Sequence, residues 1–195
     1  MEKLIDAINF AAIAHRNQRR KDEAKTPYIN HPIEVMSFLS TAGITDVDTL
    51  CAAVLHDVIE DVDVTYEQIY ELFGENVANI VRECSDDKSL PKEVRKQEQI
   101  IHAEHAMIST KLVKAADKLS NLSGLDSNPP TEWSKQEIEG YFTWAYVCCQ
   151  KLAGHNKIID AQLQALFQKR GLIDLSMNEL NERLQEYYSN IKMSE

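Results

Sequence analysis

Four things are missing from this 195-residue sequence, and each absence closes off a class of protein. No apolar run approaches membrane-spanning length, and Met1-Glu2-Lys3 leads into an amphipathic pattern and not a signal peptide. The four cysteines, Cys51, Cys84, Cys148 and Cys149, form no Cys-x-x-Cys pair. Free thiols in a reducing compartment are therefore expected, with no disulfide or zinc framework, and the expected location is cytoplasmic. Positive charge is in deficit. A net charge of −10 argues against nucleic-acid binding, although it permits a small anionic ligand wherever cations concentrate locally. There is also no G-x-G-x-x-G or P-loop motif and no internal repeat. What remains, 44% hydrophobic and 27% charged, is ordinary for one soluble domain with a real core.

The stretch that stands out is Leu55-His56-Asp57-Val58-Ile59-Glu60-Asp61. Its ionisable residues follow the apolar run Leu50 to Leu55, so a helix here threatens to bury them, and burying charge without a partner is costly. A metal ion is the simplest partner for two carboxylates and an imidazole. On a continuous helix His56 would lie beside Glu60 and Asp57 beside Asp61. One pair could then hold a metal while the other works on its water.

Helical periodicity runs through almost the whole chain. The pattern predicts helices over residues 2–19, 32–42, 46–60, 65–73, 75–84, 91–107, 109–125, 133–152, 156–169 and 176–191. The fold is expected to be all-α, a single bundle of roughly ten helices. Residues 1–172 would form the main domain and 173–195 a polar helical tail, an appendage or an oligomer contact; no oligomeric state is assigned. Thr45 or Asp46, Thr65 and Ser109 read as N-caps, and Gly43, Gly74 and Gly171 as stops. His15 ends an apolar stripe and reads as a hydrogen-bonded, partly buried histidine. Arg16 to Lys21, the densest basic run, reads on its own as a solvated helix end. His31 sits between Pro27 and Pro32 on a stiff loop at a helix start. His102 and His105 lie among solvated charges and read as surface. Asp117 and Asn121 lie four apart beside an apolar stripe, where a buried ligand role is plausible. Trp133 and Tyr141 flank polar residues and could stack on a base.

His31, His56-Asp57 and Asp117 together make an H…HD…D pattern, which resembles the HD-domain superfamily of metal-dependent phosphohydrolases. The neighbours narrow the resemblance. Arg20-Lys21, Pro27-Tyr28-x-x-His31-Pro32, His56-Asp57-x-x-Glu60-Asp61, Phe73-Gly74 and Lys114-Ala115-Ala116-Asp117-Lys118-Leu119-x-Asn121-Leu122 are similar to the hydrolase domain of the RelA/SpoT alarmone enzymes. Ser85-Asp86-Asp87-Lys88 and the 133–141 segment look closest to the metazoan SpoT homologues, small single-domain alarmone hydrolases.

The resemblance implies that His31, His56, Asp57 and Asp117 hold one divalent ion, typically Mn²⁺, and that Glu60 and Asp61 are the catalytic pair. It places Arg20, Lys21 and Asn121 against a nucleotide with Tyr28 nearby, and Lys92, Trp133 and Tyr141 at the phosphates or base. Which of Glu60 and Asp61 is acid and which base stays open. The chain departs from the bacterial pattern at Val62, where Thr is usual, and at Ser123-Gly124, which replace basic or polar residues. The second departure bears on a substrate contact. The expected activity is Mn²⁺-dependent removal of the 3′-diphosphate of ppGpp or pppGpp, giving GDP or GTP and pyrophosphate. Two other readings are an NADPH 2′-phosphatase (or another HD nucleotide phosphohydrolase) and a non-catalytic nucleotide-binding module. No nucleic-acid or membrane partner is expected.

Overall fold

A computed structural model of the chain describes residues 1–193. Its elements in order are α1 (Glu2–Ala14), α2 (Asn30–Thr41), α3 (Val47–Leu55), α4 (Val58–Asp61), α5 (Tyr66–Phe73), α6 (Glu75–Cys84), α7 (Lys92–His105), α8 (Ile108–Ser127), α9 (Lys135–Leu152), α10 (Lys157–Lys169) and α11 (Met177–Met193). The all-α expectation holds: the described residues contain no strand, only an isolated antiparallel bridge between Arg19 and Pro27. No helix among them is long and apolar enough to cross a membrane.

Two helices form the inside of the bundle. α3 buries every residue from Thr49 to Leu55, and α8 buries residues around its whole circumference between Thr110 and Leu125. A helix apolar on all sides must be covered on all sides. Accordingly α8 packs against α2, α3, α6, α9 and α10, and α3 packs against α1, α2, α6 and α8. Each fully buried Leu, Val or Phe in this core contributes about 1.5–3 kcal/mol. Polar side chains at the end of α3 or along α8 are therefore carried into the interior by their neighbours.

The caps explain where the helices begin. Asp46 accepts from Thr49 N at 2.8 Å, and Thr65 with Gln68 forms a reciprocal capping box. Gly74, at φ 82°, ends α5 and starts α6 in a conformation that side chains disfavour. Ser109 is not a cap; α8 starts at Ile108 after Met107. Ser134 caps α9 through a second box with Glu137, so Trp133 lies in the turn before that helix and not within it.

Three departures from the sequence pattern matter for the site. α1 stops at Ala14, and the basic run forms a folded loop in which Arg20 N donates to Thr26 O (2.9 Å) and Tyr28 N to Gln18 O (3.1 Å). Beyond His15 the sequence has no apolar face to bury, so the segment pairs with the stiff Pro27 strand of chain instead. The expected helix over 46–60 is broken at His56-Asp57. His56 Nδ1 lies 2.8 Å from Ala53 O, the carbonyl that the Asp57 N–H would take in a continued helix. The last segment packs on α9 and α7, burying Leu184, Tyr187, Tyr188 and Ile191. Tyr187 lies so close to Gly140 of α9 that a Cβ there would fall 2.4 Å from Tyr187 Cδ2.

Candidate metal centre and active site

His31 lies in the first turn of α2, with its backbone N–H held by Tyr28 O at 2.9 Å, and not on the preceding loop. Its Nδ1 lies 2.8 Å from Ser120 Oγ, whose single proton goes to Glu34 Oε2 at 2.5 Å. Nδ1 must therefore be the donor, which leaves a lone pair on Nε2. The Ala53 carbonyl fixes His56 in the same tautomer. Both Nε2 atoms point at Asp57 and Asp117. His31 Nε2 is 3.6 Å from Asp57 Oδ2 and 3.2 Å from Asp117 Oδ1; His56 Nε2 is 3.1 and 3.7 Å from the same atoms. The ligand atoms of His31, His56 and Asp117 all lie within 4.8 Å of one another. A row of rings, His15, Tyr28, His31 and His56, stacks behind them at 5.0, 5.7 and 5.2 Å between centroids.

This donor set fits a divalent first-row ion. His56 Nε2 is buried and has no hydrogen-bond partner, although burial should exact one. Burial disfavours a charged His56, yet Asp57 and Asp117 outweigh it and raise its proton affinity well above the usual range. Burial likewise opposes ionisation of Asp57 and Asp117. The imidazoles, with Lys118 beside Asp117, overcome it and hold both carboxyls below the ordinary carboxylate range. The cluster thus keeps two carboxylates ionised and calls for positive charge between imidazole lone pairs, a demand that a cation meets as well as a proton does. Further hydrogen bonds orient the carboxylates. Tyr28 Oη donates to Asp57 Oδ2 (2.6 Å), Asn121 Nδ2 to Asp117 Oδ1 (2.7 Å) and Lys118 Nζ to Asp117 Oδ2 (2.9 Å).

Glu60 and Asp61 are held differently. Glu60 Oε2 accepts from Asp86 N at 3.1 Å, and burial, followed by the Asp86 charge, pushes its carboxyl above the ordinary range. Asp61 accepts from Gln18 Nε2 (2.8 Å) and Lys88 Nζ (2.5 Å). The two also face different spaces. Glu60 lines a cavity of about 210 Å³ together with His31, Asp57 and Asp117. Asp61 lines an adjoining cavity of about 510 Å³ together with Arg20, Lys21, Asn121, Trp133 and Tyr141. Tyr28, Asn121 and Tyr141 belong to both. One contiguous patch of two pairs, as a continuous helix would give, is therefore not what forms.

Every sequence-predicted substrate residue except Lys92 borders the larger cavity, and Lys92 borders the smaller one. Tyr28 and Asn121 have a second engagement, as hydrogen-bond donors to Asp57 and Asp117. Sequence reasoning missed Gln18, Lys88, Arg95, Lys96 and Lys118, all of which line these cavities. The signal for two of them was the spacing of Lys92, Arg95, Lys96 and Gln99, three and four apart on one helix face. His102, which pairs with Glu98 at 3.0 Å, and His105 stay on the surface as expected. His15 is hydrogen-bonded as expected, Nδ1 2.7 Å from Gln18 Oε1, and is more deeply buried than its place at the end of the stripe suggests.

Comparison with known proteins identifies the family. The HD domain family profile matches residues 7–147. The guanosine-3′,5′-bis(diphosphate) 3′-pyrophosphohydrolase MESH1 of Danio rerio is 50% identical over 170 residues, covering 87% of this chain and 94% of that protein. The Homo sapiens MESH1 is 47% identical over 171 residues, covering 87% and 96%. A solved structure described as a metazoan orthologue of SpoT that hydrolyses ppGpp superposes with a TM-score of 0.86 at 45% identity, covering 88% of this chain and 97% of that one. Matched by the HD-domain profile and sharing its fold and nearly the full length of these relatives, the chain belongs to the HD-domain family and, within it, to the family of the MESH1 pyrophosphohydrolases.

Proposed function

We propose that this chain is a Mn²⁺-dependent hydrolase of the 3′-diphosphate of ppGpp and pppGpp, yielding GDP or GTP and pyrophosphate. One observation carries the reading: a buried His and Asp cluster with an orphaned imidazole nitrogen sits where a cavity lined by Glu60 meets a larger one of nucleotide size. His31, His56, Asp57 and Asp117 would hold the ion. When bound, a divalent ion supplies Lewis-acid chemistry, lowering the pKa of water and offsetting phosphate charge.

The chain's own residues do the rest. Arg20 and Lys21 supply positive charge to the larger cavity, while Trp133 and Tyr141 offer aromatic faces for a base. In the reaction a water oxygen joins the phosphorus next to the ribose. The bond from that phosphorus to the 3′ oxygen breaks, its electron pair stays on the oxygen, and the diphosphate departs with the new oxygen. Water gives up one proton and the 3′ oxygen gains one. Glu60, with its raised proton affinity, and Asp61, fixed by Gln18 and Lys88, are the groups placed to move these protons.

The test is a panel of ppGpp, pppGpp and NADPH offered to Mn²⁺-loaded protein, with pyrophosphate and orthophosphate measured separately. Pyrophosphate from ppGpp is expected. A folded, metal-bound protein that releases none, or that releases orthophosphate from NADPH alone, overturns the assignment. Glu60→Ala is expected to keep its metal and lose about 10²–10⁴ in turnover.

A further inference from the structure

The smaller cavity has a wall that the reading above does not use. Lys92, Arg95, Lys96 and Gln99 of α7 face it, opposite the His and Asp cluster and beside Lys118 of α8. Two of these cations lack the partner that their position demands. Arg95 Nε is buried with no hydrogen bond, and Arg95 Nη1 stands 3.9 Å from Glu60 Oε1, too far to donate well. Lys96 Nζ is held over the Trp144 ring at 3.6 Å and near the Tyr141 ring at 5.1 Å. Among the described residues no carboxylate lies within ion-pair distance of it. Burial and the neighbouring Lys118 bring its pKa down to about 7. Asp86, the carboxylate that also lines this wall, is taken by Gln99 Nε2 at 2.6 Å. Partly buried cations with this little anionic compensation cost stability, so a site that keeps them is built for an anion that arrives.

We propose that Arg95 and Lys96 form a subsite for the distal phosphate of a diphosphate whose proximal phosphate sits at the His31, His56 and Asp117 cluster. The inference rests on the hydrolase reading for the identity of that diphosphate, but the subsite itself requires only inorganic pyrophosphate. Lys118 is already committed to Asp117 at 2.9 Å and belongs to the proximal position. Arg95 has only the long 3.9 Å approach to Glu60, and Lys96 has no carboxylate partner. A guanidinium fork beside an ammonium suits a terminal phosphate with its three oxygens. A single phosphate at the cluster would leave both unmatched, so the subsite selects diphosphate over monophosphate esters.

The experiment is calorimetric titration of the Mn²⁺-loaded protein with inorganic pyrophosphate and, separately, orthophosphate. The proteins compared are the wild type, Lys96→Met and Arg95→Gln, with melting curves for each. The wild type is expected to prefer pyrophosphate by about tenfold or more. Each variant is expected to lose about tenfold in pyrophosphate affinity and little in orthophosphate affinity. Arg95→Gln carries the test if Lys96→Met does not fold. Equal affinities of the wild type for the two anions, or unchanged pyrophosphate binding in Arg95→Gln, overturns the subsite even if ppGpp is hydrolysed. The expected anion pattern without any hydrolysis of ppGpp leaves the subsite standing and removes the substrate assignment instead.

Discussion

Helices α7 and α8 face each other across the site and are opposite in kind. α8 carries Asp117, Lys118, Ser120 and Asn121 inside a sequence of Leu, Val and Ala that is buried almost all round. α7 carries Lys92, Arg95, Lys96 and Gln99 among other charges and buries only Ala103 outright. On α8 the ionisable groups are inside because their own helix is inside. On α7 they are enclosed because other elements close over them, chiefly Trp144 and Tyr141 of α9, with α11 packed behind. The α8 side is thus a fixed ligand frame, and the α7 side is a wall whose position depends on what leans on it.

Breaking the frame should have the largest effect. Asp117→Ala is expected to lose stoichiometric metal and all measurable pyrophosphate release, read by metal analysis of the purified protein and a phosphate-product assay. Retained metal with full activity would mean that α8 is not the ligand side. A smaller effect should follow from loosening the frame without removing a ligand. Ser120→Ala takes away the acceptor of His31 Nδ1–H, and metal affinity should fall about 10–100-fold, the usual range for the partner of a ligating histidine. Competition with a chelator measures it.

The wall should respond to α11 and the frame should not. Gly140→Ala drives a methyl into Tyr187, so it should destabilise the protein by about 1–3 kcal/mol in denaturant unfolding. In the folded fraction it should raise KM for the nucleotide while leaving metal content at the wild-type level. Equal loss of metal would erase the distinction between the two sides. The smallest effect concerns protons. Burial first, and the Asp86 charge second, raise the Glu60 carboxyl, so as pH falls Glu60 protonates earlier than an ordinary glutamate. With Glu60 as proton acceptor, activity is lost on that acidic side. Asp86→Asn removes one raising influence and keeps the backbone hydrogen bond from residue 86. The acidic limb of kcat/KM should therefore move to lower pH. An upward or absent shift would place the controlling proton elsewhere.

The frame was legible because its residues contradict their context: His56, Asp57 and Asp117 interrupt apolar helical stripes, and a charge in such a stripe needs a partner. The order of helices and most of their ends were legible for a related reason, since periodicity and caps are local. The α7 wall was legible only in the spacing of its residues and in the resemblance that set Lys92 near the substrate. Lys92, Arg95 and Lys96 agree with their context, a charged helix that reads as solvated, and nothing within it announces Trp144 closing over Lys96 from 48 residues along, the separation of the Trp144 Nε1 to Lys96 O hydrogen bond. The break at His56 was hidden as well, because it arises from a side chain competing for a carbonyl, which periodicity does not record. By itself the sequence determined that the chain is helical and that ionisable residues interrupt its apolar stripes, both consequences of local pattern. Tertiary structure alone decided that Glu60 and Asp61 serve different cavities and that a charged surface-type helix becomes an enclosed cationic wall. Burial there is conferred by partners far away in the chain, and covering a charge changes what it can do.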